Sequence, residues 1–135
     1  MPRIFPLALA ALILASCGDV TAPDERGVCW RSAAAAGDGA AKFTPLAQDV
    51  SSLENCAVLL EAVRLQTGSG ANGAYQGYFI FVDAAEMSSA SHAGGLHYPI
   101  FQPPQREAVD RDLRRLIRER GGRLPGAGEI TLERH

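Results

Sequence analysis

The chain lacks a charge excess of either sign: 13 lysines and arginines stand against 15 aspartates and glutamates in 135 residues. A general nucleic-acid binder carries a strong basic surplus, so nucleic acid is not an expected partner. Low-complexity composition is also missing, with only 14 glycines and 8 prolines and no internal repeat. That excludes a fibrous, collagenous or wholly disordered chain and leaves room for one small domain. No apolar run reaches the ~20 residues that a bilayer-spanning helix needs. Several catalytic signatures are missing as well. There is no Cys-x-x-Cys to tune a reactive dithiol. The glycine-rich stretch 67–73 follows a helical pattern and has no Gly-Lys-Ser/Thr after it, so it is not a phosphate-binding P-loop. The serines at 88, 89 and 91 lie near His92 but without Gly-x-Ser-x-Gly.

What is present begins at the N-terminus. Arg3 is followed by twelve uncharged residues from Ile4 to Ala15, apolar all round, and then by small residues. A positive start, a short apolar core and a small-residue end form the pattern of a secretory signal peptide. An amphipathic core helix would show a polar face, and this run has none. Leu14-Ala15-Ser16-Cys17 resembles the lipobox of bacterial lipoproteins. The resemblance covers only this segment. It implies cleavage before Cys17, diacylglycerol on the Cys17 thiol and a membrane anchor without a transmembrane helix. Each buried CH₂ contributes about 0.8 kcal/mol, and two or more chains hold stably. The residue after the cysteine is Gly18 rather than aspartate, which favours the outer membrane over the inner in such lipoproteins. The domain then faces the periplasm, with no cofactor beyond the covalent lipid.

With Cys17 assigned to lipid, Cys29 and Cys56 remain, and an oxidising exported compartment favours a disulfide between them. Leu, Ile, Val and Phe supply only 25 residues from Cys17 onward. A core that thin benefits from a covalent staple.

The expected organisation is a signal peptide at 1–16, a lipidated flexible tether at 17–27, a domain at 28–122 and a flexible tail at 123–135. A short strand at Val28–Arg31 and a partner at Lys42–Thr44 flank an Asp38-Gly39 turn, forming a hairpin. Ser51 and Glu54 fit a capping box, and Leu53, Cys56, Ala57, Leu60 and Val63 give one apolar helix face up to Gly68. The region 74–83 carries the strongest strand signal. Its unbroken aromatic and β-branched run at 78–82 fits a central strand covered on both faces. Residues 84–96 read as a surface loop, and 97–101 as an extended segment confined by Pro99 to an edge. A last helix, about 104–120, has Val109, Leu113, Leu116 and Ile117 as its apolar stripe and Gly121-Gly122 as its stop. The fold class is α+β: a small single domain with a short sheet, two main helices and one disulfide.

Candidate sites follow from side-chain chemistry. Asp83 and Glu86 sit past the strongest strand as an acid/base pair, and His92 and His97 lie close by. A separation of five positions between the histidines is not a helical zinc spacing and brings no clear third ligand, so no metal is expected. The last helix carries Arg106, Arg111, Arg114, Arg115, Arg118 and Arg120, balanced by Glu107, Asp110, Asp112 and Glu119. Glu107–Arg111 and Asp110–Arg114 are well-oriented i,i+4 pairs on a solvated face. Aromatics concentrate in two segments, with Tyr75, Tyr78 and Phe101 as candidate partner-binding residues. Two functions compete on this basis. One is a non-catalytic binding module or accessory subunit for another envelope protein. The other is a small periplasmic enzyme or ligand-binding domain using Asp83, Glu86, His92 and His97.

Overall fold

A computed structural model describes residues 20–34 and 41–129. The predicted signal peptide at 1–16, the predicted lipid site Cys17, the predicted Asp38-Gly39 turn and residues 130–135 lie outside the described residues. Six strands form one antiparallel sheet: β1 (Cys29–Ala34), β2 (Ala41–Ala47), β3 (Gly73–Tyr75), β4 (Tyr78–Val82), β5 (Met87–Ala90) and β6 (Tyr98–Pro99). Their spatial order is β2-β1-β3-β4-β5-β6. Helices α1 (Leu53–Thr67) and α2 (Pro103–Glu119) complete an α+β domain. A single 3₁₀ turn, Ala127–Glu129, follows them.

The disulfide joins Cys29 of β1 to Cys56 of α1, with Cα atoms 5.3 Å apart. Both residues are fully buried. Helix α1 starts one residue later than the Ser51–Glu54 pattern predicts. Ser52 is the cap: its extended backbone lets its hydroxyl accept from the Asn55 N–H at 3.1 Å. Ser51 instead accepts from the Asn55 side chain. At the other end Gly68 adopts φ 74° and donates to the Arg64 carbonyl, a left-handed cap that glycine supplies without a Cβ penalty. The helix is buried over the whole run Cys56–Val63, not on one face. Cys56, Leu59, Leu60 and Val63 meet the sheet, while Val58 and Ala62 meet Leu113, Val109 and Ile117 of α2.

The 74–83 segment is two strands rather than one. Gln76 and Gly77, both at positive φ (45° and 87°), turn the chain between β3 and β4, as a two-residue hairpin loop requires. β4 lies in the interior of the sheet. Ile80 and Val82 pack toward α1, and Phe79 packs on the opposite face with Ala22 and Ala74. The predicted loop 84–96 contains β5. Its sequence, Met-Ser-Ser-Ala, has weak strand character, but β4 and β6 pair with it on both sides, so neighbours override propensity. Asp83 shapes the preceding turn, its carboxylate accepting from the N–H groups of Ala85 and Glu86 at 2.7 Å each. β6 is an edge strand that contains Pro99.

Both flanks of the domain are docked. Ala22 is buried against the sheet, the Gly77 N–H donates to the Pro23 carbonyl at 2.9 Å, and the Gly27 N–H donates to Gln76 Oε1 at 3.0 Å. Residues 22–27 therefore lie along the sheet. Past α2, Ala127 packs on the main core and Glu129 pairs with Arg120.

Gly73 is where β3 comes closest to its neighbours. A Cβ there would stand 2.0 Å from the Trp30 carbonyl oxygen and 2.8 Å from Leu60 Cδ1. One obstacle is backbone, which cannot rotate away. Gly73→Ala is expected to cost at least ~2 kcal/mol in urea unfolding, near the upper range for overpacked cores. An unchanged midpoint would show that β1 and β3 can part at no cost.

Candidate functional site

A cleft of about 490 Å³ opens where the β4–β5 turn and β6 meet the first turns of α2. Glu86, Ser88, His97, Phe101, Arg106 and Asp110 are among its lining residues. The β4–β5 turn supplies Glu86, β5 supplies Ser88, and His97 immediately precedes the edge strand β6. α2 supplies Arg106 and Asp110, placed by a helix start where Pro103 and Pro104 preset the backbone and the Gln102 N–H donates to Gln105 Oε1 at 3.0 Å.

At its centre Glu86 Oε1 accepts from both the Ser88 hydroxyl and His97 Nδ1, the latter at 2.5 Å. These bonds hold the Glu86 carboxyl below the usual carboxylate range, the Ser88 bond contributing most and His97 next. A carboxylate only accepts, so Nδ1 is the donor of this bond and Nε2 takes no part in it. The His97 ring also stacks on Phe81, with centroids 4.1 Å apart and planes 10° from parallel. The imidazole is thus oriented from the edge and from the face, while its side chain stays 39% exposed.

This is not a serine-nucleophile arrangement. Ser88 is buried, and its hydroxyl lies 3.4 Å from the same Nδ1 that Glu86 occupies. A triad needs serine on one ring nitrogen and carboxylate on the other. Of the four residues in the enzyme reading, the fold joins Glu86 and His97. The Asp83 carboxylate serves the turn, and His92 pairs with Ser91 in the β5–β6 loop, at 3.0 Å. Among the described residues no three His, Cys, Asp or Glu side chains gather as a metal site.

The aromatic candidates separate in the same way. Tyr75 is buried and its hydroxyl donates to the Val50 carbonyl at 2.6 Å; burial raises the phenol pKa. It offers a partner no surface. Tyr78 is half exposed at the β3–β4 turn. Phe101 is half-buried, packing against both core clusters that contain α1 while lining the cleft.

Below the cleft lies a network that the sequence pattern did not reveal. Glu61, fully buried on α1, pairs with Arg64 and, at 3.4 Å, with Arg106 of α2. Arg106 also donates to the Asp83 carbonyl, so one guanidinium ties α1, α2 and the β4–β5 turn together. Asp110 belongs here too, 4.0 Å from Arg64. The predicted Asp110–Arg114 pair is displaced because Asp110 turns inward, and Asp112–Arg115 and Arg115–Glu119 supply surface pairs instead. A signal did exist: Glu61 is the one charge in the Cys56–Val63 run. No protein-family model, curated protein or solved structure matches the chain.

Proposed function

We propose that the chain is a bacterial envelope lipoprotein anchored through Cys17, whose domain is a non-catalytic binding module or accessory subunit facing the periplasm. The observation that carries this reading is the Cys29–Cys56 bridge. Such bridges persist in oxidising exported compartments, the destination that the signal segment and lipobox imply independently. The partner is another envelope protein, and outer-membrane placement follows from Gly18. Recognition is assigned to the His97 cleft, a concavity with apolar walls at Met87, Pro99 and Phe101 and a few fixed polar groups.

The oriented Glu86–His97 pair favours a second reading, a small periplasmic enzyme or ligand-binding domain with His97 Nε2 as the acceptor for a substrate proton. The test begins with Cys17→Ser. The variant is expected to lose lipid mass and either leave the membrane fraction or remain unprocessed; unchanged membrane attachment after processing would overturn the anchor. Crosslinked pull-down of the lipidated protein should then recover a protein partner that Phe101→Ala weakens. Turnover of a small molecule, abolished by His97→Ala, would select the second reading instead.

A further inference from the structure

The surface bears few exposed large hydrophobic side chains, and their placement is uneven. Among the described residues Leu96 is 75% exposed, Tyr98 61%, Tyr78 50%, and Val20 and Leu124, the latter past α2, 40% each. Topology puts the first three at one end of the sheet. Tyr78 is the first residue of β4, Tyr98 the first of β6, and Leu96 lies in the loop that joins the end of β5 to β6. The β3–β4 turn is at that same end, and the incoming chain is fastened there through the Gly77–Pro23 hydrogen bond. Val20 stands just before this fastening.

Covalent reach adds a bound. Ala22 is fixed on the sheet, and Cys17 is five residues upstream. Five residues span no more than ~18 Å even when fully extended. A lipid on Cys17 therefore brings this end of the domain, rather than α2 and its arginines, close to the bilayer. The chemistry of the end agrees. Between Glu86 and Arg106 the chain has no Asp, Glu, Lys or Arg, and tyrosine favours the membrane–water interface, where its ring is apolar and its hydroxyl wet.

We propose that this end rests on the lipid surface, with Leu96, Tyr98 and Tyr78 in the headgroup region as a second, non-covalent contact beside the anchor. The proposal rests on the lipoprotein reading and sharpens it: the domain is held down and oriented, with the cleft turned to one side. The anchor makes the contact intramolecular, so a weak apolar contact suffices. The adjoining segment carries Asp24, Glu25 and Arg26, acidic on balance, so the contact is apolar rather than a charge attraction and tolerates salt.

The experiment isolates the contact from cellular lipidation. Protein from Cys17 onward, with its bridge intact, is coupled through the Cys17 thiol to a maleimide lipid in phosphatidylcholine vesicles. Hydrogen exchange is then compared with the same protein free in solution. Amides in 91–98 are expected to exchange at least threefold more slowly on vesicles, at low and high salt alike, while those of α2 stay unchanged. Leu96→Asp, at an exposed site that leaves the fold intact, should restore the solution rate. Equal exchange in 91–98 on vesicles and in solution would overturn the contact and leave the lipoprotein reading standing. Protection that high salt abolishes would overturn its apolar character. Failure of the Cys17→Ser fractionation would remove the premise itself.

Discussion

Removing the Cys29–Cys56 bridge is expected to lower unfolding free energy by about 3.5 kcal/mol, from the chain entropy released by opening a loop of this size. The two cysteines are 27 positions apart. The closed loop contains all of β2 and the first turn of α1, so the bridge holds β1 against the helix that covers the sheet. Its sulfurs lie inside the main core with Leu60, Ile80 and Val82, and few large side chains are available to compensate. The measurement is urea unfolding of the oxidised protein against Cys29→Ala/Cys56→Ala, followed at both far-ultraviolet and tryptophan signals. The double variant should unfold at a much lower urea concentration. Its m-value should rise as the unfolded chain expands. A loss below ~1 kcal/mol would mean that packing alone fixes β1 on α1.

What could be read from the sequence was what depends on local pattern. The bridge, α2 with its Leu113 stripe, the Pro99 edge strand and the Tyr78–Val82 run all announce themselves in spacing or residue type. β5 did not, because Met87-Ser88-Ser89-Ala90 becomes a strand only through its two neighbours. The Gln76-Gly77 turn was hidden because glutamine is an unusual residue at positive φ. At the site, Glu86 and His97 were visible as candidates, eleven positions apart, yet their pairing depends on the edge strand bringing the chain back. Nothing local separated them from Asp83 and His92. The inward turn of Asp110 was equally non-local, since it answers Arg64 on another helix.

Glu61→Ala is expected to cost about 3 kcal/mol, whereas Glu61→Gln should stay within ~1 kcal/mol of wild type at neutral pH. Alanine leaves the guanidiniums of Arg64 and Arg106 without their buried partner, the costly way to break such a pair. It also empties a fully buried site between α1 and α2. Glutamine keeps the volume and keeps a carbonyl for Arg64 Nε, which now donates to Glu61 at 2.8 Å. It gives up only a charge that the fold does not favour. Burial pushes the Glu61 carboxyl above its ordinary value of 4.5, more than its hydrogen bond to Arg64 lowers it, and Asp110 adds to the rise. The pH dependence follows from that direction. Between 4.5 and the raised value, the folded protein holds a proton that the unfolded chain has released. Wild-type stability relative to Glu61→Gln should therefore be greatest at acid pH and decline as pH rises through that window. Glu86 and Glu129, whose carboxyls are lowered by their own hydrogen bonds, give the opposite slope at lower pH, but both proteins share it and the difference cancels it. Urea midpoints of the pair, taken from about pH 4 to pH 8, decide the matter. If wild type instead gains on the glutamine variant as pH rises, the ionised carboxylate is a net stabiliser, and the two arginines outweigh burial at this helix interface.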